Sequence, residues 1–157
     1  MYSEYRIGLF LEKNVNNYDI AMVCGPDFYI ANKININEIE NACINNNFYT
    51  TLANEAQGYT NGFYFGKPNI LIEPLKRIKY IQKFMPAHKD YEYILRQSIE
   101  DNKIVRNVTS LFFFKIRANK TIYFNNQNSL YIHLFSKNAF IEIIKEYYYL
   151  IQKLKTM

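Results

Sequence analysis

Apolar and polar residues alternate from the start of the chain. Tyr5, Ile7, Leu9 and Leu11 share one side of a two-residue period and Arg6, Gly8 and Phe10 the other, which predicts a strand over residues 5–11. Lys13-Asn14-Val15-Asn16-Asn17 has the chemistry of a loop, and the apolar run over residues 19–24 then completes an N-terminal hairpin. Gly25-Pro26-Asp27 breaks that run before a short third strand over residues 28–31. The period changes at Asn35 or Asn37, either of which can cap a helix with Glu38 and Glu40 in its first turn. Ile36, Ile39 and Cys43 form its inner stripe, and Asn45-Asn46-Asn47 ends it. Residues 48–57 fit a short helix. Asn61-Gly62 then predicts a tight hairpin, because this pair accepts the positive φ angles of a type I′ turn.

Residues 69–73 read as a short strand or as the lead into a helix that Pro74 opens and Pro86 stops. Leu75, Ile78, Ile81 and Met85 mark its buried stripe, while Lys76, Lys79 and Lys83 share the opposite face with Arg77 beside them. Asp90 is placed to cap a further helix over residues 91–101. Three strands follow, over 108–118, 121–124 and 129–135, with turns at Asn119-Lys120 and at 125–128. On the first of them Phe112, Phe114 and Ile116 alternate with Leu111, Phe113, Lys115 and Arg117. On the last, Leu130, Ile132 and Leu134 alternate with Tyr131, His133 and Phe135. Ser136 caps a long helix over 137–155, with Phe140, Ile144, Tyr147, Ile151 and Leu154 inward. This order predicts an α+β fold, one domain over residues 1–157. Its sheet is mostly antiparallel, made of the N-terminal hairpin and a C-terminal three-strand meander, and packs with about four helices.

Composition agrees with a globular chain, at 49% apolar and 21% charged residues. With 15 Tyr, 12 Phe, no Trp, 20 Asn and 21 Ile, it favours residues written by A/T-rich codons. That points to a virus, a mobile element or another low-GC genome, and it discounts aromatic content as a sign of selection. Cys24 and Cys43 are expected in the core of a reduced, intracellular, cytoplasmic chain. No apolar run is long enough to span a membrane.

Charge changes the picture more. Residues 67–89 hold six Lys/Arg against Glu73 alone, a surplus of +5 that equals the net charge of the whole chain. Residues 1–66 carry three basic and seven acidic side chains, and residues 67–157 sixteen and seven. Between Asp101 and Glu142 there is no acid, whereas Lys103, Arg106, Lys115, Arg117, Lys120 and Lys137 all fall there. A concentrated positive field fits an anionic partner, with DNA or RNA first.

The leading expectation is therefore a non-enzymatic nucleic-acid-binding protein. Phosphates are contacted by Lys76, Arg77, Lys79 and Lys83 on the helix and by Lys115 and Arg117 on the sheet, with Tyr123, Tyr131 and His133 as stacking surfaces. A second expectation is an inhibitor or adaptor, such as a viral factor acting on a host protein, using aromatics interleaved with Gly58, Gly62 and Gly66. A third is a metal-independent ribonuclease with His88 and His133 as acid and base. No nucleotide fingerprint, HExxH or paired CxxC is present, so neither a cofactor nor a metal is implied. Asp101-Asn102-Lys103 has the residue types of a restriction-nuclease metal site, but at a helix end and without a near acidic partner.

Overall fold

The computed structural model describes residues 2–52, 58–84, 90–116, 120–124, 130–133 and 137–156. Helix α1 (Tyr2–Lys13) occupies the segment whose alternation predicts a strand. Its inner line is Glu4, Gly8 and Leu11, at the i, i+4, i+7 spacing of a helix. Neither an acid nor a glycine registers as apolar, and the outer face carries Ile7 and Phe10, so the helical period is hidden. The N-terminal hairpin is accordingly absent. Strand β1 (Ala21–Cys24) pairs with a later strand, and β2 (Phe28–Ile30) belongs to another sheet.

Helix α2 (Ile36–Asn45) starts and stops as its sequence requires. The Asn35 side chain accepts from the Asn37 amide at 3.1 Å, and Asn46 closes the helix in the left-handed region at φ 55°. Next comes a strand instead of the expected helix, β3 (Phe48–Thr50), and then β4 (Phe63–Gly66). Asn61-Gly62 makes no hairpin. The Gly62 amide donates to Thr60 Oγ1, no glycine among the described residues has positive φ, and β4 pairs with β1 and β3 on its two edges.

Helix α3 (Pro68–Leu75) starts at Pro68, so Pro74 sits in its last turn and does not open a helix. The chain then tightens into a 3₁₀ turn at Arg77–Tyr80 before α4 (Ile81–Phe84). After α5 (Tyr91–Asp101) come β5 (Arg106–Val108), β6 (Phe113–Ile116), β7 (Thr121–Phe124), β8 (Leu130–His133) and α6 (Lys137–Lys155). The fold is α+β, and the C-terminal meander and long last helix stand as expected. Residues 108–118 are divided, however, between β5 and β6 in different sheets.

The first sheet runs β1-β4-β3-β5, antiparallel except for β3 beside β5. The second runs β2-β6-β7-β8 and is antiparallel throughout. Period-two geometry sends alternate residues of β4 to opposite sides. Phe63 and Phe65 join Tyr49, Ala42, Phe113 and Phe114 in one apolar cluster. Tyr64 joins Phe48, Leu71, Leu75, Leu95 and Leu11 in the other. The first sheet is therefore covered on both faces, by the second sheet and α2 on one side and by α1, α3 and α5 on the other. At Gly8, a Cβ would stand 3.1 Å from Leu75 Cβ and 2.8 Å from Lys76 Cγ, so the glycine lets α1 lie close on α3.

Candidate nucleic-acid interface

The helical cations of the 76–83 segment are each matched by an acid. Lys76 Nζ is 2.9 Å from Glu12, Lys83 Nζ is 3.1 Å from Asp101, and Lys79 Nζ pairs with Glu73. Burial pushes the Glu73 carboxyl up, but the hydrogen bond and charge of Lys79, with the Tyr80 hydroxyl, outweigh it and hold it below its ordinary value. Arg77 is not on the surface at all. Its side chain is 1% exposed, donating from Nη2 to Glu4 at 2.7 Å and from Nη1 to the Tyr64 hydroxyl and the Pro74 carbonyl. The expected exposed position of Arg77 is thus corrected: it ties α1 to α3 across the second core. Two of these acids, Glu4 and Glu12, come from the acidic first 66 residues, so that segment neutralises Arg77 and Lys76, while Glu73 and Asp101 pair with Lys79 and Lys83.

Of the second basic segment, Lys103 and Arg106 follow α5 on the Tyr64 side, and Lys115 lies elsewhere. Lys115 is on β6 of the second sheet, whose neighbours Phe113 and Phe114 pack on the Phe63 and Phe65 side of the first sheet. Lys76 and Lys79 follow α3 on the Tyr64 side. The first sheet separates them, so they do not make one continuous patch. Arg117 and His88 lie outside the described residues. His133 is on β8, paired with Thr121.

Strand register organises the second sheet into rows. Phe28 is opposite Lys115, Lys115 opposite Tyr123, and Tyr123 opposite Tyr131, so these four positions form one row across β2, β6, β7 and β8. The Lys115 ammonium stands 5.3 Å from the centre of the Phe28 ring. Thr121 and His133 are two residues along on the same face. The opposite face carries Tyr29, Phe114, Ile116, Ile122 and Ile132. Helix α6 packs against β7 and β8, and its Tyr147 meets Phe112, which shares the parity of Phe114. The α6 side is thus that of Phe112 and Phe114, while the row with Lys115 shares its face with Phe113, whose ring packs with Phe28 against Gly62 of the first sheet.

Other expected features move. Phe63, Tyr64 and Phe65, expected on an exposed loop, are the most buried aromatics of a central strand. Cys24 is exposed and Cys43 half-buried, so neither is a core residue; Cys43 Sγ lies 3.6 Å from the Asp19 carbonyl. Sequence reasoning also missed a clamp at Glu38, which accepts from Thr109 Oγ1, from the Ser110 amide at 3.0 Å and from Ser110 Oγ at 2.9 Å. The only signal there was an acid in a first helical turn, which the helix dipole already explained. Among the described residues no three His, Cys, Asp or Glu side chains converge as metal ligands, and no helix is long and apolar enough to cross a membrane. No family model matches the chain, and neither curated proteins nor solved structures give a match.

Proposed function

We propose that the chain binds single-stranded nucleic acid along the Lys115, Tyr123 and Tyr131 end of the second sheet, beyond the Phe28 and Phe113 rings that seat this face on the first sheet. The observation that carries this reading is the row Lys115, Tyr123 and Tyr131 on three adjacent strands. Neighbouring strands are about 4.8 Å apart. Two tyrosines at that pitch can take successive splayed bases, and a lysine in the same row meets the connecting phosphate. The sequence places Arg117 two residues beyond Lys115, in a stretch without acids from 102 to 141.

The test is a salt titration of binding to mixed single-stranded DNA and RNA. Tyr123→Ala and Tyr131→Ala should each weaken binding by about 1–3 kcal/mol, the usual worth of one base–aromatic stack. A triple Lys76→Ala, Lys79→Ala, Lys83→Ala variant should bind as the parent does. Absence of binding at low salt, or loss of it in the triple variant alone, overturns the reading.

A second reading, a protein-binding inhibitor or adaptor, is favoured by the outer side of α6. Ile141, Tyr148 and Tyr149 are all exposed there, at 50–64% of their surface. Partner capture that survives nuclease treatment and high salt, and that fails in Tyr148→Glu, would favour it over the first.

A further inference from the structure

Packing beneath α6 is incomplete. A cavity of about 220 Å³ lies between Tyr147 and Ile151 of α6 and the 109–112 segment, with Leu52 in its wall. It is partly open to solvent, with Tyr147 40% exposed at its edge. The segment that bounds the cavity is fixed by polar bonds. Asn32 accepts from the Phe112 amide at 2.6 Å and donates to the Ser110 carbonyl at 3.0 Å, while Glu38 gathers Thr109 and Ser110. A wall anchored in this way resists collapse into the space.

With those groups engaged, the surface left toward the cavity is mainly that of Leu52, Leu111, Phe112 and Ile151. Tyr147 is the exception. Its ring lies 5.3 Å from that of Phe112, and its phenol brings a hydroxyl to the lining. The Phe112–Tyr147 pair also walls a second hollow of about 280 Å³, bounded by Ile143 and Ile144. Among the described residues no ionised side chain lines either space.

The geometry points to a binding site for a small uncharged aromatic or comparably apolar ligand carrying one hydrogen-bonding group, which Tyr147 meets. An apolar cavity of about 150 Å³ is enough for benzene, so this one suits a phenol- or indole-sized molecule. A carboxylate or an ammonium would lose solvation against this lining, with no counter-charge among the described lining residues. The site is on the α6 side of the second sheet, and it stands or falls independently of nucleic-acid binding.

The experiment titrates the full chain with phenol, indole, benzene and benzoate, following methyl resonances of Leu52, Leu111 and Ile151 together with the melting temperature. Phenol and indole should shift those methyls saturably at one site and raise the melting temperature, and benzoate should bind at least tenfold more weakly. Tyr147→Phe should weaken phenol severalfold and leave benzene unchanged. Ile151→Phe should fill the space and abolish binding; if it does not fold, Leu111→Phe serves the same purpose. Methyl resonances unmoved by the neutral probes in the parent chain, non-saturable shifts, benzoate binding as tightly as phenol, or full binding in the filled variant would each overturn the site.

Discussion

Arg77 shows how far a single residue can depart from what its neighbours in sequence suggest. Its guanidinium is buried, paired at 2.7 Å with a Glu4 that is only 20% exposed, and its Nε has no partner. Removing one member of such a pair strands the other charge. Glu4→Gln should therefore cost about 3 kcal/mol in urea denaturation, whereas the double variant Glu4→Gln with Arg77→Met should recover at least half of it. A cost below about 1 kcal/mol for Glu4→Gln would mean that the pair is not holding α1 in place. Tyr64, beside it, gives a pH signature. Burial pushes its hydroxyl up to about 12, with the charge of Glu4 in the same direction and Arg77 opposing. Below pH 10 both folded and unfolded chains hold this proton. Between pH 10 and 12 the unfolded chain loses it first, so stability falls with rising pH, by about 3 kcal/mol in all. Tyr64→Phe should lack this component, and denaturation at pH 9 and pH 11.5 compares the two. Lys76, raised by its hydrogen bond to Glu12, loses stability in the same direction in both chains, so the difference between them isolates Tyr64.

Among the elements, those with contrast between their faces were legible and those without were not. Helices α5 and α6 and the meander strands carry apolar and polar positions at the right period. The limits of α5, α6 and β7 agree closely with the sequence pattern, whereas among the described residues β6 takes up only 113–116 of the expected 108–118. The parity of β6 and β8, with Lys115 and Tyr131 on one side and Phe114 and Ile132 on the other, was readable before any register was known. Strand β4 was not readable, because a central strand buried on both faces shows no alternation. Helix α1 failed for the opposite reason, having apolar residues outside and Glu4 and Gly8 inside. Pro74 misled because two prolines compete for the first helical position and Pro68 takes it. Asn61-Gly62 has a turn composition, yet its glycine serves packing. A Cβ at Gly62 would stand 2.5 Å from the Phe28 ring and 2.8 Å from that of Phe113, the two rings by which the second sheet rests on the first. Gly62→Ala should part those rings and cost about 1–3 kcal/mol. A melting curve unchanged from the parent would show that the sheets do not depend on this contact.

For the whole molecule the question is where the excess charge acts. The net +5 was legible in the sequence, but its location was not, because the acids that neutralise the 76–83 segment lie up to 73 residues away in the chain. With those four cations paired, the surplus falls to segments without acids, above all residues 102–141 with six cations. Two variants of equal net charge separate a general field from a local contact. Lys76→Gln with Lys83→Gln and Lys115→Gln with Arg117→Gln each lower the net charge from +5 to +3. If long-range attraction to the molecule as a whole governed binding, the two would weaken single-strand affinity alike, and alike at every salt concentration. If phosphates sit on the second sheet, only the Lys115 and Arg117 variant should flatten the salt dependence, by about 0.7 for each phosphate no longer neutralised, or about 1.4 together. The Lys76 and Lys83 variant should keep the parent slope, since those ammonium groups already have Glu12 and Asp101 as counter-ions. Equal slopes for the two variants would remove the sheet face as the contact surface.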